Sequence, residues 1–303
     1  MNPAAMRNPM RATLCLLLLA GCVPPMEAAI CPQEDCLALF VQGIDRAEGS
    51  VDCAFYAFDH PEIAESLRNA ATRGVKVRIV LHEGAAPGFQ SRTAKVPGLM
   101  HHKFCVLDGE RVVTGSANPT GRDVGYDNNV LALESGRIAG QYGQEFEELW
   151  SDDFPGRRAL DAMLPFRQHV LFCPEDRCAE ALRNEVGGAT KSVDMLAFTF
   201  TEASLGTELI LAAARGVNVR VVLDRRVHPA SQRQRLLDNG IEVRLARSEL
   251  MHHKVLVIDN RTVLTGSFNP TASADSRNAE NLLIIRNGDI AAEYASAFRS
   301  LWG

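Results

Sequence analysis

The chain has 303 residues and a formal net charge of −5, and 46% of its residues are apolar. That apolar content excludes a disordered chain, and the length allows two ordinary domains or one large one. The acidic balance excludes a protein drawn to polyanions by its overall field.

At the N-terminus Arg7 and Arg11 precede the apolar run Leu14–Ala20, which is too short to span a bilayer and has the form of an export signal. The run ends in Leu19-Ala20-Gly21-Cys22, which resembles the lipobox of bacterial lipoproteins, with Cys22 the lipidated residue. A plain secretory signal is the alternative. Loss of residues 1–21 removes both arginines and makes the mature chain two charges more acidic. An exported protein is expected, anchored in the cell envelope or secreted. Cysteine use agrees with this, because Cys31 and Cys36 in CPQEDC, and Cys173 and Cys178 in CPEDRC, suit small-loop disulfides in an oxidising compartment. A zinc site would want histidines nearby, and neither pair has them. Cys53 and Cys105 are expected in strands, packed as small apolar residues, and the sequence fixes no pairing for them.

The rest of the chain is written twice. CPQEDC, Ser50-Val51-Asp52, RGVKVRIVL, MHHKFCVLD, TGSANPT and Tyr142-x3-Phe146-x2-Leu149-Trp150 recur as CPEDRC, Ser192-Val193-Asp194, RGVNVRVVL, MHHKVLVID, TGSFNPT and Tyr294-x3-Phe298-x2-Leu301-Trp302. This divides the chain into residues 22–160 and 161–303 behind the signal, with Ser151–Gln168 as connector. In each copy the expected order is strand, helix, strand, motif strand, loop, final strand, helix. Residues 62–72 and 202–214 have helix-forming composition ending at Arg-Gly. Val75–Leu81 alternates apolar residues with Lys76 and Arg78, a half-buried strand. Strands alternating with helices give an α/β architecture with a mixed sheet in each half.

The motif strands carry H-x-K-x4-D, as His101, Lys103, Asp108 and as His252, Lys254, Asp259. Residues i and i+2 of a strand share a face, so each histidine stands beside a lysine, whereas Asp108 and Asp259 lie far along the strand and read as structural anchors. Downstream, Ser116 and Asn118, and Ser267 and Asn269, offer neutral donors to phosphate oxygens. These parts suit phosphodiester chemistry: one neutral imidazole attacks phosphorus, and the other, protonated, assists the leaving oxygen. The lysines and asparagines hold the charge that develops on the equatorial oxygens. Adjacent histidines on a strand face opposite ways and a lysine repels a cation, so no metal or other cofactor is expected; His102 and His253 read as packing residues.

Together the two motifs, each followed at the same spacing by Thr-Gly-Ser-x-Asn-Pro-Thr, resemble the phospholipase D superfamily of phosphodiesterases over nearly the whole mature chain. The layout is nearest to its compact nuclease-type members. The resemblance implies two halves paired across a pseudo-twofold axis around one active site, with no obligate protein partner. It implies that His101 and His252 are catalytic, that Lys103, Lys254, Asn118 and Asn269 bind phosphate, and that Glu280 orients a histidine. In the first copy Asn128 stands where that acid belongs, and the adjacent Asp127 would face the other way along a strand. In such relatives the acid reaches across to the other half's histidine, so Glu280 would orient His101 as nucleophile and leave His252 as the acid.

For substrate, the export signal, the lipid anchor and the acidic charge favour phospholipid headgroups at a membrane. Nucleic acid is the alternative, favoured by Arg225, Arg226, Arg233, Arg235, Arg244 and Arg247 if they form a basic rim; their bland reading is a solvated face. The first copy's 84–99 segment could offer an apolar lip to acyl chains or be an ordinary loop. A non-catalytic binding protein of the same fold rests only on the missing acid at Asn128.

Overall fold

The two copies build the same sheet. In the first half the chain forms β1 (Met26–Ile30), α1 (Ala38–Arg46), β2 (Ser50–Phe55), α2 (Pro61–Thr72), β3 (Lys76–Leu81), β4 (Gln90–Thr93), β5 (Lys103–Leu107), β6 (Arg111–Gly115), β7 (Asn129–Glu134) and α3 (Gly136–Trp150). The second half repeats this as β8 (Gln168–Cys173), α4 (Cys178–Gly187), β9 (Ser192–Ala197), α5 (Ala203–Ala214), β10 (Asn218–Leu223), α6 (Arg233–Asp238), β11 (Glu242–Leu245), β12 (Lys254–Ile258), β13 (Thr262–Gly266), α7 (Ala272–Ser276), β14 (Glu280–Arg286) and α8 (Gly288–Trp302). This computed structural model describes residues 25–156 and 168–303. The expected export signal, Cys22, most of the connector and the boundary set at residue 160 lie outside the described residues, while Gln168 opens β8. No helix among the described residues is long and apolar enough to cross a membrane.

The sheet orders are β1-β7-β6-β5-β2-β3-β4 and β8-β14-β13-β12-β9-β10-β11, position for position the same. Three strands of each run parallel and the rest antiparallel, giving two mixed sheets in an α/β fold. The chain also forms elements that the sequence reading lacked, among them β1, α1 and the edge strand β4 within the 84–99 segment.

Each sheet is covered on both faces. One face packs under α1 and α2 in the first half, and under α4 and α5 in the second, as separate apolar clusters. The other faces meet in one central cluster that takes Tyr142 and Phe146 of α3, Phe172 of β8, and Tyr294 and Phe298 of α8. This corrects the half-buried reading of β3. Arg78 is buried, donating to Asp52 at 2.7 and 2.9 Å and to Glu147 at 2.6 Å beneath the rings of Phe146 and Trp150. Arg220 repeats the arrangement with Asp194, Phe298 and Trp302. The terminal Tyr-x3-Phe-x2-Leu-Trp repeat thus roofs an ion pair in each half.

Disulfides join Cys31 to Cys36 and Cys173 to Cys178. Cys53 and Cys105 do lie in strands, but they are bonded to each other, because β2 and β5 pair antiparallel with these two residues directly opposite. The same register in the second half sets Met195 opposite Leu256.

Asp108 and Asp259 close the motif strands in left-handed backbone with φ of 54° each. Asp108 accepts from the amides of Glu48, Gly49 and Ser50, and Asp259 from those of Thr190, Lys191 and Ser192. Burial opposes ionisation of both, yet these hydrogen bonds hold both carboxyls below their ordinary value. Replacing either aspartate by alanine is expected to cost about 2 kcal/mol in denaturant unfolding, since three amides lose their acceptor. A carboxyl depressed in the folded state stabilises above its unfolded pKa and loses that effect on acidification. The wild type should therefore lose thermal stability as pH falls below about 4, and an Asp108→Asn/Asp259→Asn variant should lose less over that interval.

Candidate active site

The site lies where the halves cross. Met100 forms a bridge with Ala279, and Asp127 one with Met251. The amide of His101 donates to Ala279 O at 2.9 Å and that of His252 to Asp127 O at 2.8 Å, so each motif histidine hangs from the opposite half. These reciprocal contacts relate the halves by a pseudo-twofold. His101, Lys103, His252 and Lys254 are all buried at this crossing.

The repeated TGS-x-NPT segment follows from this geometry. At Gly115 a Cβ would lie 2.1 Å from the carbonyl oxygen of Asn129, too close for any other residue. That approach lets Ser116 Oγ donate to Asn128 Oδ1 at 2.9 Å while accepting from Asn129 N at 3.0 Å. Ser267 does the same with Glu280 Oε2 at 2.6 Å and Asn281 N at 3.0 Å. The serines expected to reach phosphate are thus fully engaged in orienting the residues behind the histidines. The carbonyls of Pro119 and Pro270 each accept two amides from the loop after β2 or β9.

Glu280 crosses the interface to His101, with Oε2 at 2.8 Å from Nδ1. It also accepts from Ser267 Oγ and, through Oε1, from Asn278 Nδ2 at 3.1 Å. Burial opposes its ionisation, but His101 and Lys103 outweigh that and hold its carboxyl below the usual range. The proton between them therefore belongs to Nδ1 of His101, leaving Nε2 with a free lone pair. Burial pulls His101 down to about 4, against Glu280 and with the help of Lys103.

His252 has an amide behind it instead. Asn128 Oδ1 lies 3.0 Å from its Nδ1, and Asn128 Nδ2 donates to Asp123 O at 3.1 Å, which fixes the oxygen toward the ring. Burial, then Lys254 and Lys103, hold His252 well below its ordinary value. Asp127 turns away from the ring and accepts from Ser248.

Lys103 Nζ donates to His101 O at 2.5 Å over the ring of Tyr56, and Lys254 Nζ to His252 O at 2.7 Å over that of Phe198. Burial draws Lys103 down to about 7 although Glu280 and Asp123 pull upward. Burial and the facing Lys103 hold Lys254 well below its ordinary value. Asn118 Nδ2 donates to Asp123 Oδ1 at 3.1 Å, and the side-chain oxygens of Asn118 and Asn269 have no partner among the described residues.

Several contributors escaped the sequence reading. Tyr56 and Phe198 stand four residues after the aspartate of each Ser-Val-Asp, a repeat that could have found them. Asn129 and Asn281 also repeat. Asn281 meets His102 and Tyr142 of the first half, and Asn129 meets His253 and Tyr294 of the second. Asp123 does not repeat. His102 points inward to Glu145 Oε1 at 2.7 Å, away from the cleft.

A hollow of about 380 Å³ opens beside His101, lined by Leu99, Thr199, Asn269, Thr271, Ser273 and Arg277 among others. The 84–99 segment forms no apolar lip, since Phe89 and Val96 pack onto the cores and only Leu99 among its large apolar residues is exposed. Three of the six arginines that could form a basic rim are engaged with neighbouring groups. Arg235 binds Ala203 O and Thr207, Arg244 lies on Trp302, and Arg226 is tied to Asp224.

The family model described as "Cardiolipin synthase, PLD-like domain" matches residues 40–150 and again 182–302. The phospholipase D of Rickettsia conorii is 40% identical over 128 residues, 41% of this chain and 64% of that protein. A mitochondrial cardiolipin hydrolase of Xenopus laevis is 38% identical over 136 residues, 43% of this chain and 65% of that protein. The chain thus spans less than two thirds of either relative's length. The crystal structure of phosphatidylserine synthase from Haemophilus influenzae Rd KW20 superposes with a TM-score of 0.71 over 90% of this chain and 85% of that one, a likeness of fold at 11% identity. With both halves matched to one family model, the chain belongs to the phospholipase D superfamily as a tandem of two PLD-like domains.

Proposed function

We propose that the chain is a phosphodiester hydrolase working through a phosphohistidine on His101, with His252 as general acid and base. The observation that carries this is the convergence of two buried lysines, each with a single carbonyl acceptor, on two buried imidazoles. Buried ammonium groups so poorly compensated are costly unless an anion joins them, and a phosphodiester brings that charge.

In the first step His101 Nε2 forms a bond to phosphorus, the ester P–O bond breaks, and the leaving oxygen takes a proton from His252. In the second, His252 removes a proton from water, the new oxygen bonds to phosphorus, and the N–P bond returns its pair to His101. Attack through Nε2 with Nδ1–H retained leaves a positive ring, and Glu280 at 2.8 Å compensates that charge. An imidazolium bonded to the amide of Asn128 in place of a carboxylate releases its proton more readily, which suits the acid.

For substrate we favour phospholipid headgroups. The relatives named phospholipase D and cardiolipin hydrolase support this, as does the export signal with its expected lipid anchor at Cys22. Engagement of Arg226, Arg235 and Arg244 with neighbouring groups weakens the nucleic-acid reading. The hollow beside His101 carries Asn269, Thr271, Ser273 and Arg277, which could bind a polar substituent while acyl chains stay in the bilayer.

Turnover quenched with denaturant at alkaline pH and analysed by mass spectrometry should give on His101 an adduct that keeps the phosphodiester's remaining ester group, and His101→Asn should lower turnover by about 10⁴-fold or more. An adduct on His252 would reverse the two roles. Activity on phosphatidylcholine vesicles should persist in EDTA. Lys103 must keep its proton to bind the anion, so kcat/KM should fall as pH rises through about 7. A bound anion favours the charged lysine, so the corresponding limb of kcat should lie at higher pH; two pH profiles check this.

A further inference from the structure

The histidine backed by an amide is not without a negative charge. Asp123 sits in the short turn Asp123–Gly125, and its Oδ1 lies 3.9 Å from His252 Nδ1. Its side chain is 10% exposed and its oxygens are occupied: Oδ1 accepts from Asn118 N and Nδ2 at 3.1 Å each, and Oδ2 from Thr120 Oγ1 at 2.7 Å. Among the described residues it is the one carboxylate in ion-pair contact with the His252 ring. The other charged or titratable groups facing His252 are Lys254 and His253 from its own segment and Lys103 and His101 from the first half, and all of them oppose its protonation. Asp224 and Glu280 act on the adjoining Lys254.

Asp123 has no counterpart. Its amide donates to Thr120 Oγ1 at 3.3 Å, and the residue in the same place of the second half, donating to Thr271 Oγ1 at 3.2 Å, is Ala274. Around His101 one residue, Glu280, both fixes the ring and carries the charge. Around His252 these tasks are held by different groups, Asn128 touching the ring and Asp123 standing behind it.

Resting on the acid role given to His252 above, we infer that Asp123 is the positioning residue of the general acid, supplying the charge that lets His252 hold a proton while Asn128 orients the ring. A carboxylate bonded directly to Nδ1 would stabilise the imidazolium and weaken it as an acid. Set back behind an amide, the charge supports protonation without trapping the proton.

The test is Asp123→Asn, which keeps an oxygen for Asn118 and removes the charge. Rates would be measured on aryl methyl phosphates whose leaving groups run from p-nitrophenol to phenol. Because general-acid assistance matters more for poorer leaving groups, the loss should grow along the series and be about tenfold larger for phenol. A loss equal across the series, or none, overturns the inference. Asp123→Asn/Asn128→Asp returns a carboxylate to the ring and should remove much of the added dependence on leaving group, which a merely structural lesion would not allow. Glu280→Gln should depress the whole series more evenly. Independently of turnover, the NMR titration of His252 with inorganic phosphate bound should move down by about one pH unit in Asp123→Asn. An unmoved titration also overturns the role. Absence of wild-type hydrolysis of every ester would defeat the phosphodiesterase reading, and this titration would still decide whether Asp123 supports the charge on His252.

Discussion

The amide of each motif histidine is bonded to the other half of the chain, His101 to Ala279 and His252 to Asp127. Neither motif can take its working geometry until the halves dock, so site and interface are one structure. The driving force is apolar. Tyr142 of α3 meets Phe172 of β8 edge-on at 5.0 Å within a cluster drawn from both halves, and burial of such surface contributes roughly 25 cal/mol per Å². The register is set by polar groups inside that cluster. Asn129 and Asn281 reach across to a histidine and a tyrosine of the opposite half. A slipped docking would leave these amides unpaired, at about 1–3 kcal/mol for each orphaned group.

Docking also buries two ammonium groups close together. Lys103 and Lys254 face each other closely enough that Lys103 depresses Lys254, and Glu280 and Asp123 offset them only in part. Tyr56 and Phe198 present ring faces to the ammonium groups, a modest help to a desolvated cation. What remains is the desolvation of two ammonium groups in a low-dielectric cleft, a cost that an anion bridging them would offset. Under the proposed chemistry the same preorganised charge acts on the transition state, where the phosphoryl oxygens carry most of their charge.

Much of this was legible because it is local and repeated. Strand periodicity put His101 beside Lys103, and the duplication identified both motifs and their Gly-Ser-x-Asn companions. What was not legible depends on partners distant in sequence. Arg78 reads as the polar side of a half-buried strand until α3 is seen to cover that face with Phe146, Trp150 and Glu147. Ser116 and Ser267 read as phosphate donors until β6 and β7, and β13 and β14, are paired and their hydroxyls find Asn128 and Glu280. The Cys53–Cys105 bond follows from the β2–β5 register, which no spacing rule supplies. Asp123 stayed hidden for a different reason: comparison of two copies reveals what they share, and Asp123 is present in only one.

The unshared residues explain why a duplicated chain differs chemically from a pair of identical halves. In a symmetric pair both histidines would have identical surroundings, and the two would compete for the same proton and the same role. Fusing the halves removes that constraint while leaving the backbone intact, as the identical strand orders show. Changes then accumulate where they separate the histidines. Glu280 is set against Asn128, and Asp123 against Ala274. Each substitution alters the charge near one imidazole without altering the β-ladder that carries it, because Glu280 and Asn128 lie at strand ends, Asp123 in a short turn and Ala274 in the short helix α7. The symmetry of the scaffold and the asymmetry of the site are compatible for that reason: the first resides in backbone pairing, and the second in the side chains of a few residues that the pairing does not use.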